Sequence, residues 1–417
     1  MSNLLDQTPE PHTPTVRTEY TAPGPLNYFR VLHLGFENPR MPGAGGGSVR
    51  THAINMRLAA EGHRVTVLTT RYPGATERWQ DGVHYVPVGF GKGGTKLSRL
   101  LGYVVRLPWE VHRRRECYDL VVEDFFAPFS TMAAPLWTKK PTVGVVQWLH
   151  AKDKSRQYGL PFHIIERAGV KSHSRLVAVS HGTAEALRAL NEQAHIDVIG
   201  NGLDPRALDV RSGLGQDVIF IGRLEVGCKG LDLLLEAWER ARADVDGDLV
   251  IAGSGPDDNL VREMVIERGL QERVRFTGWV DGAEKFRLLA SARLAVVPSR
   301  HETFGLVAIE ALATGTPIIT FDIPCLREVV APGAGWLVEP FDSTALATEI
   351  ALRYNQRKQL EDAGRAGRRF AAHFNWDDLA IRQAAAYRAA IELLSDHSRT
   401  INKATRKEGN CGSSRSS

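Results

Sequence analysis

The strongest constraint in this chain is the stretch PSRHETFGLVAIEALATGTP at residues 298–317, which follows the apolar run Leu294–Val297. A run of that length and composition fits a strand buried on both faces in a parallel sheet, and a helical pattern begins shortly after it. The segment therefore reads strand, tight loop, helix. Glu302 stands in the loop, Phe304 and Gly305 open the helix, and Glu310 follows in its second turn. A helix start offers unpaired N–H groups and partial positive charge suited to a phosphate, while carboxylates accept hydrogen bonds from hydroxyls. A ligand carrying both phosphates and sugars satisfies both. The competing reading, in which Glu302 and Glu310 are ordinary helix-surface acids, is weighed against the rest of the chain.

Strand-helix alternation runs through the chain in two series. The first opens with a strand at residues 30–34, the Gly-rich loop GAGGGS at 43–48, a helix and a strand at 65–69. Val49, Ala53, Met56 and Ala60 share one face of that helix, which ends at Gly62, so the unit is βαβ. Further strands are read at residues 83–88, 120–122, 143–149, 176–179 and 196–199. The second series has strands at 218–221, 249–252, 274–277, 294–297 and 318–320, with Leu231, Leu234, Leu235 and Trp238 marking its first helix. The expected fold is α/β: two Rossmann-like doubly wound domains facing a central cleft, where such folds bind ligands. The boundaries are a disordered tail 1–27, a first domain 28–200, a linker 201–216, a second domain 217–375, a C-terminal helix 376–396 and a disordered tail 397–417. A length of 417 residues suits two domains, and 43% hydrophobic with 24% charged residues suits a soluble globule.

Composition also narrows the function. No run is long enough to span a bilayer, and the N-terminus lacks the order of a signal peptide. Cys117, Cys228, Cys325 and Cys411 are scattered without metal-ligand spacing, which implies a reducing compartment and no structural metal. A net charge of +4 is too small to argue for nucleic acid. The localisation expected is cytoplasmic.

Four further features carry chemistry. Gly43, Gly45, Gly46 and Gly47 let backbone approach a pyrophosphate, with a flexible turn as the alternative. An NAD site is not expected, because Ser48 replaces a fingerprint glycine and Thr69, Thr70 and Arg71 stand where an acid would bind ribose. In GRLEVGCKG, residues 222–230, Arg223 and Lys229 follow a strand and suit a diphosphate, though such cations are more often simply solvated. His150 follows an apolar strand, where a histidine polarises a substrate or serves structure. Residues 96–115 mix Leu97, Leu100, Leu101, Val104, Val105 and Leu107 with Lys96, Arg99, Arg106, Arg113, Arg114 and Arg115. This pattern fits peripheral contact with the inner face of an anionic membrane, an anionic acceptor, or plain core packing. Asp244, Asp246 and Asp248 have Asp-x-Asp spacing but precede a strand at its amino end, so they read as a surface turn and not a metal site.

Taken in order, these pieces resemble the retaining glycosyltransferases of family 4, which have the two-domain GT-B fold. The resemblance covers residues 28–394 and includes the Gly-rich loop, NGLD at 201–204, GRLEVGCKG, GSGP at 253–256, FTGWV at 276–280 and Glu302-x7-Glu310. It implies transfer of a hexosyl or N-acetylhexosaminyl group from a UDP- or GDP-sugar to a hydroxyl acceptor, namely a glycan, a lipid-linked sugar or a small molecule. The first domain would then serve the acceptor and the second the donor, with the terminal helix crossing back to the first. Arg223 and Lys229 would neutralise the donor diphosphate, helped by Gly46, Gly47 and the backbone of Phe304, Gly305 and Leu306. Glu302 would contact the transferred sugar, Glu310 the ribose, Val280 the base through its backbone, and His150 the sugar near the reacting bond, with Gly253 in the donor site. No cofactor or metal is implied beyond the nucleoside-diphosphate sugar as co-substrate. The interval from Arg223 to Lys229 is one residue longer than in the commonest form of the motif. Two alternatives stand beside this reading: a sugar-nucleotide epimerase, for which Glu123 and Asp124 are the near acid-base candidates, and a binding protein without turnover.

Overall fold

The computed structural model describes residues 28–41, 46–90, 96–126, 131, 133–149, 151–210 and 212–411. The expected tail 1–27, Gly43, Gly45, His150 and residues 412–417 lie outside them. Eight strands form the first sheet: β1 (Arg30–Leu34), β2 (Arg64–Thr70), β3 (Arg78–Gln80), β4 (Val83–Val88), β5 (Leu120–Phe125), β6 (Thr142–Val146), β7 (Arg175–Ala178) and β8 (His195–Val198). Their order is β3-β4-β2-β1-β5-β6-β7-β8, parallel except for β3 on β4. Six form the second: β9 (Val218–Ile221), β10 (Leu249–Ala252), β11 (Val274–Gly278), β12 (Leu294–Val297), β13 (Ile318–Phe321) and β14 (Gly335–Val338). Their order is β11-β10-β9-β12-β13-β14, all parallel.

Strands covered on both faces by helices read as continuous apolar runs, which is why β9, β10 and β12 stand where the sequence places them. The departures have polar causes. β5 continues past residue 122 through Glu123 and Asp124, because both carboxylates find buried partners. Glu123 accepts from Thr131 Oγ1 at 2.9 Å and from the Ala134 N–H at 2.8 Å, and Asp124 accepts from Thr51 Oγ1 at 2.6 Å. β6 stops at Val146, so Gln147 and Trp148 face the cleft and do not extend the strand. β3 and β14 carry no alternation long enough to read.

The helix Gly46–Ala60 turns a different face inward from the one its apolar residues suggest. Val49 is exposed, while Arg50, Thr51, Asn55, Ile54 and Leu58 are buried. The polar members have tertiary partners: Arg50 Nη2 donates to the Ile199 carbonyl at 3.0 Å and to Gln383 Oε1 at 2.9 Å, while its Nε has none among the described residues, and Asn55 Nδ2 lies 3.0 Å from His33 Nδ1. A similar division marks the helix Lys96–Arg113. Leu100, Tyr103, Leu107 and Val111 enter the core, and Leu101, Val105 and Trp109 point outward.

Residues 201–210 and 212–216 are docked on the second domain. Leu203 and Ala207 belong to its core, and the Leu203 N–H donates to the Phe374 carbonyl at 2.7 Å. The terminal helix Trp376–Cys411 returns to the first domain, where Trp376, Leu379, Ala384 and Tyr387 join the core cluster of β1, β2, β5 and β6. It runs past residue 396 into the segment expected to be disordered. No Gly or Pro occurs between Trp376 and Glu408, so nothing in the chain interrupts propagation.

His63 stacks on Phe29 beside Tyr28, and burial, with Arg388 assisting, holds its imidazole down to about 4. The unfolded chain therefore binds more protons than the folded one between the ordinary histidine value and about pH 4, so stability falls as pH drops through that window. Urea midpoints measured from pH 7 to pH 4 should decline, and His63→Gln should flatten the decline.

Candidate active site

Each sheet reverses its strand order at one place: between β1 and β5 in the first, between β9 and β12 in the second. Crevices open outside the carboxyl ends of strands at such points. Here the two crevices face each other and merge into one open cleft of about 950 Å³. The loop after β1 contributes Phe36 and Glu37, the ends of β5 and β6 contribute Asp124, Phe126 and Gln147, and Arg223, Lys229, Glu302 and Phe304 come from the second domain.

Two helix starts converge on this cleft. Gly46 and Gly47 begin the helix Gly46–Ala60, and Gly305 precedes the helix Leu306–Thr314. A methyl group on Gly46 would come within 2.8 Å of Leu306 Cδ1, so the domains approach as closely as a glycine permits. Gly305 has φ of 88°, and a Cβ there would sit 2.7 Å from Leu326 Cδ2, so both conformation and space demand glycine. Two positive helix ends and two cations thus surround one volume.

Lys229 ends the short helix Val226–Lys229, a turn that takes up the extra residue after Arg223. Its ammonium pairs with Glu302, whose Oε1 also accepts from Ser299 Oγ at 3.0 Å. Burial pushes the lysine down, but Glu302 and its neighbours outweigh that, and the net direction is up. Arg223 is exposed and lines the cleft, and its guanidinium has no hydrogen bond or ion pair among the described residues. The helix Pro324–Val329 backs the Glu302 loop: Cys325 Sγ donates to the Glu302 carbonyl at 3.0 Å. From the same helix, Glu328 accepts from the His181 and Gly182 N–H groups of the first domain at 2.8 and 2.9 Å.

The other sequence candidates divide between the cleft wall and the interior. Glu310 is buried off the cleft and pairs with Lys285 at 2.6 Å. Burial raises its pKa against the opposing pull of Lys285, and its Oε2 has no hydrogen-bond partner. Lys285 escaped sequence reading because nothing in its spacing links it to Glu310. Val280 is buried after β11 and does not line the cleft. Gly253 serves packing, since a Cβ there would lie 1.8 Å from the Gly222 carbonyl oxygen. Glu123 is enclosed with Thr131 and with His173, whose Nε2 lies 3.3 Å away, so it has no access to a substrate. Asp124 lines the cleft, with His33 Nε2 at 3.1 Å from its Oδ1. Burial pushes it up, but His33, Thr51 and Arg50 more than offset this and hold it low. A carboxylate kept ionised in this way is poorly matched to the acid role an epimerase needs. Asp248 pairs with Arg273 at 3.2 Å, ahead of the amino end of β10. Among the described residues, no three His, Cys, Asp or Glu side chains gather as a metal site.

This architecture is that of a GT-B protein. Sucrose-phosphate synthase from Thermosynechococcus elongatus has the same fold, with a TM-score of 0.76 at 20% identity over 88% of this chain and all of that one. Residues 44–207 match the family described as "Glycosyltransferase Family 4" and residues 213–370 the one described as "Glycosyl transferases group 1". A D-inositol 3-phosphate glycosyltransferase from Jonesia denitrificans is 30% identical over 82% of this chain and 91% of its own length. A glycogen synthase from Mycobacterium tuberculosis is 28% identical over 87% and 95%. The chain belongs to the family 4 glycosyltransferases and is a glycosyltransferase of the GT-B type.

Burial, with Glu302 beside it, pushes the Cys325 thiol up to about 12, whereas Cys117 is exposed. Alkylation at pH 8 followed by mass spectrometry should label Cys117 in the native protein and Cys325 only after denaturant is added.

Proposed function

We propose that the enzyme moves a hexosyl or N-acetylhexosaminyl group from a UDP- or GDP-sugar to a hydroxyl of a glycan, lipid-linked or small-molecule acceptor, with retention of configuration and no metal. The observation that carries this is the convergence of Arg223, Lys229 and the two helix starts on one cleft. Breaking the bond between anomeric carbon and phosphate builds negative charge on the diphosphate, and these groups stabilise it where it develops. In a front-face substitution the acceptor oxygen bonds to the anomeric carbon as the phosphate oxygen leaves, and that oxygen takes the acceptor's proton. Glu302 releases Lys229 to the diphosphate and turns to the sugar hydroxyls. Glu310 offers its unpartnered Oε2 to the ribose, and the Val280 backbone meets the base. His150 is assigned to the sugar beside the reacting bond. Closure of the cleft excludes water and protects the donor from hydrolysis.

Nucleoside-diphosphate release tests this, with UDP-glucose, UDP-N-acetylglucosamine and GDP-mannose offered against a panel of hydroxyl acceptors. Release should persist in chelator, and Lys229→Ala should lower kcat/KM by about 100-fold, the scale of losing one charge-stabilising donor. Absence of turnover with every donor would refute the reading.

We also propose that the enzyme works at an anionic membrane surface. Leu101, Val105 and Trp109 form an exposed stripe, and the guanidinium groups of Arg106 and Arg113 lie 4.1 and 4.9 Å from the Trp109 ring. An apolar stripe flanked by cations suits the headgroup boundary of anionic lipids. Sedimentation with phosphatidylglycerol vesicles should recover the protein, phosphatidylcholine vesicles should not, and Leu101→Asp/Val105→Asp should abolish recovery.

A further inference from the structure

The segment that crosses between the domains after β8 is tightly held on both sides of Asn201. The Ile199 carbonyl accepts from buried Arg50 at 3.0 Å. A Cβ on Gly200 would lie 2.8 Å from Phe304 Cε2, and one on Gly202 would lie 2.4 Å from Trp376 Cδ2. Asn201, between them, is 6% exposed and lines the cleft. Its Oδ1 is buried and accepts no hydrogen bond among the described residues. Buried side-chain polar atoms are seldom left so, and each such case calls for an explanation. Among the described residues that line the cleft, only Asp124 also has such an atom, and that oxygen has His33 Nε2 at 3.1 Å. No hydrogen bond or ion pair reaches the Asn201 oxygen among the described residues.

We infer that Asn201 is a substrate-contacting residue whose side-chain amide binds a hydroxyl of the transferred sugar, so that the interdomain crossing is itself part of the active site. The inference rests on the nucleotide-sugar reading above and deepens it. The amide oxygen is an acceptor and needs a donor, which a fully ionised phosphate does not carry and a sugar hydroxyl does. The phosphates already have Arg223, Lys229 and the helix starts. Phe304, which packs against Gly200, belongs to the same loop as Glu302, so the crossing abuts the part of the cleft assigned to the sugar. An amide also suits a hydroxyl in both directions, giving one hydrogen bond and taking another.

Calorimetric titration separates sugar from phosphate recognition. Wild-type protein and Asn201→Ala are titrated with UDP and UDP-glucose, or with GDP and GDP-mannose, whichever pair the wild type binds. Asn201→Ala is expected to keep the nucleoside-diphosphate Kd within twofold, to weaken the sugar nucleotide roughly tenfold and to lower kcat/KM in step. Equal weakening of both ligands would show a purely structural hinge role and overturn the inference, and so would no change in either. A wild type that binds neither pair would refute the donor reading itself, and this inference with it. If Asn201→Ala does not fold, Asn201→Ser is measured against the same outcomes.

Discussion

The arrangement of the two domains depends on a buried guanidinium. Among the described residues Arg50 has no carboxylate in hydrogen-bond contact; it donates to a carbonyl of the interdomain crossing and to Gln383 of the terminal helix. Burial lowers its pKa, with Asp124 and Tyr387 opposing. Burying a cation is costly unless it is hydrogen-bonded, so the two bonds from Nη2 favour the meeting of three separate pieces of chain at one point. Those pieces are the helix that begins at the Gly-rich loop, the crossing at Ile199 and the helix that returns from the second domain. The position of Gly46 and Gly47 over the cleft follows from that meeting.

The cleft then works through opposed charges. Lys229 and Glu302 neutralise each other there, and Lys285 and Glu310 do so away from the cleft lining. Each pair sets a cation against an acid, so neither charge is left bare. The Glu302 loop is backed by Cys325, and the neighbouring Glu328 grips the first domain at the start of the helix His181–Leu190. The support of the cleft-lining Glu302 loop and an interdomain contact therefore share one short helix.

Much of the fold was legible because buried parallel strands announce themselves as short apolar runs, and the two-series order follows from their number and spacing. Arg223, Lys229, Glu302, Gly46, Gly47 and Gly305 were legible for a related reason: each sits just past a strand end or at a helix start, and those positions face the cleft in a doubly wound fold. The inward face of the helix Gly46–Ala60 was not. Its buried Arg50, Thr51 and Asn55 read as solvent-facing until Gln383, Asp124 and His33, from distant parts of the chain, are brought against them.

The sequence by itself determined the α/β class, the two domains and the set of phosphate-suited groups, because backbone pairing and helix polarity depend on local pattern. Only the tertiary structure decided which acids face the cleft and which are consumed by internal partners. Glu123 and Asp124 are adjacent in β5, yet the alternation of the strand sends one to Thr131 and His173 and the other to the cleft wall. The same holds for Asn201, an ordinary polar residue in the sequence. It acquires an unmet hydrogen-bonding atom only because Phe304 and Trp376 close around the glycines on either side of it.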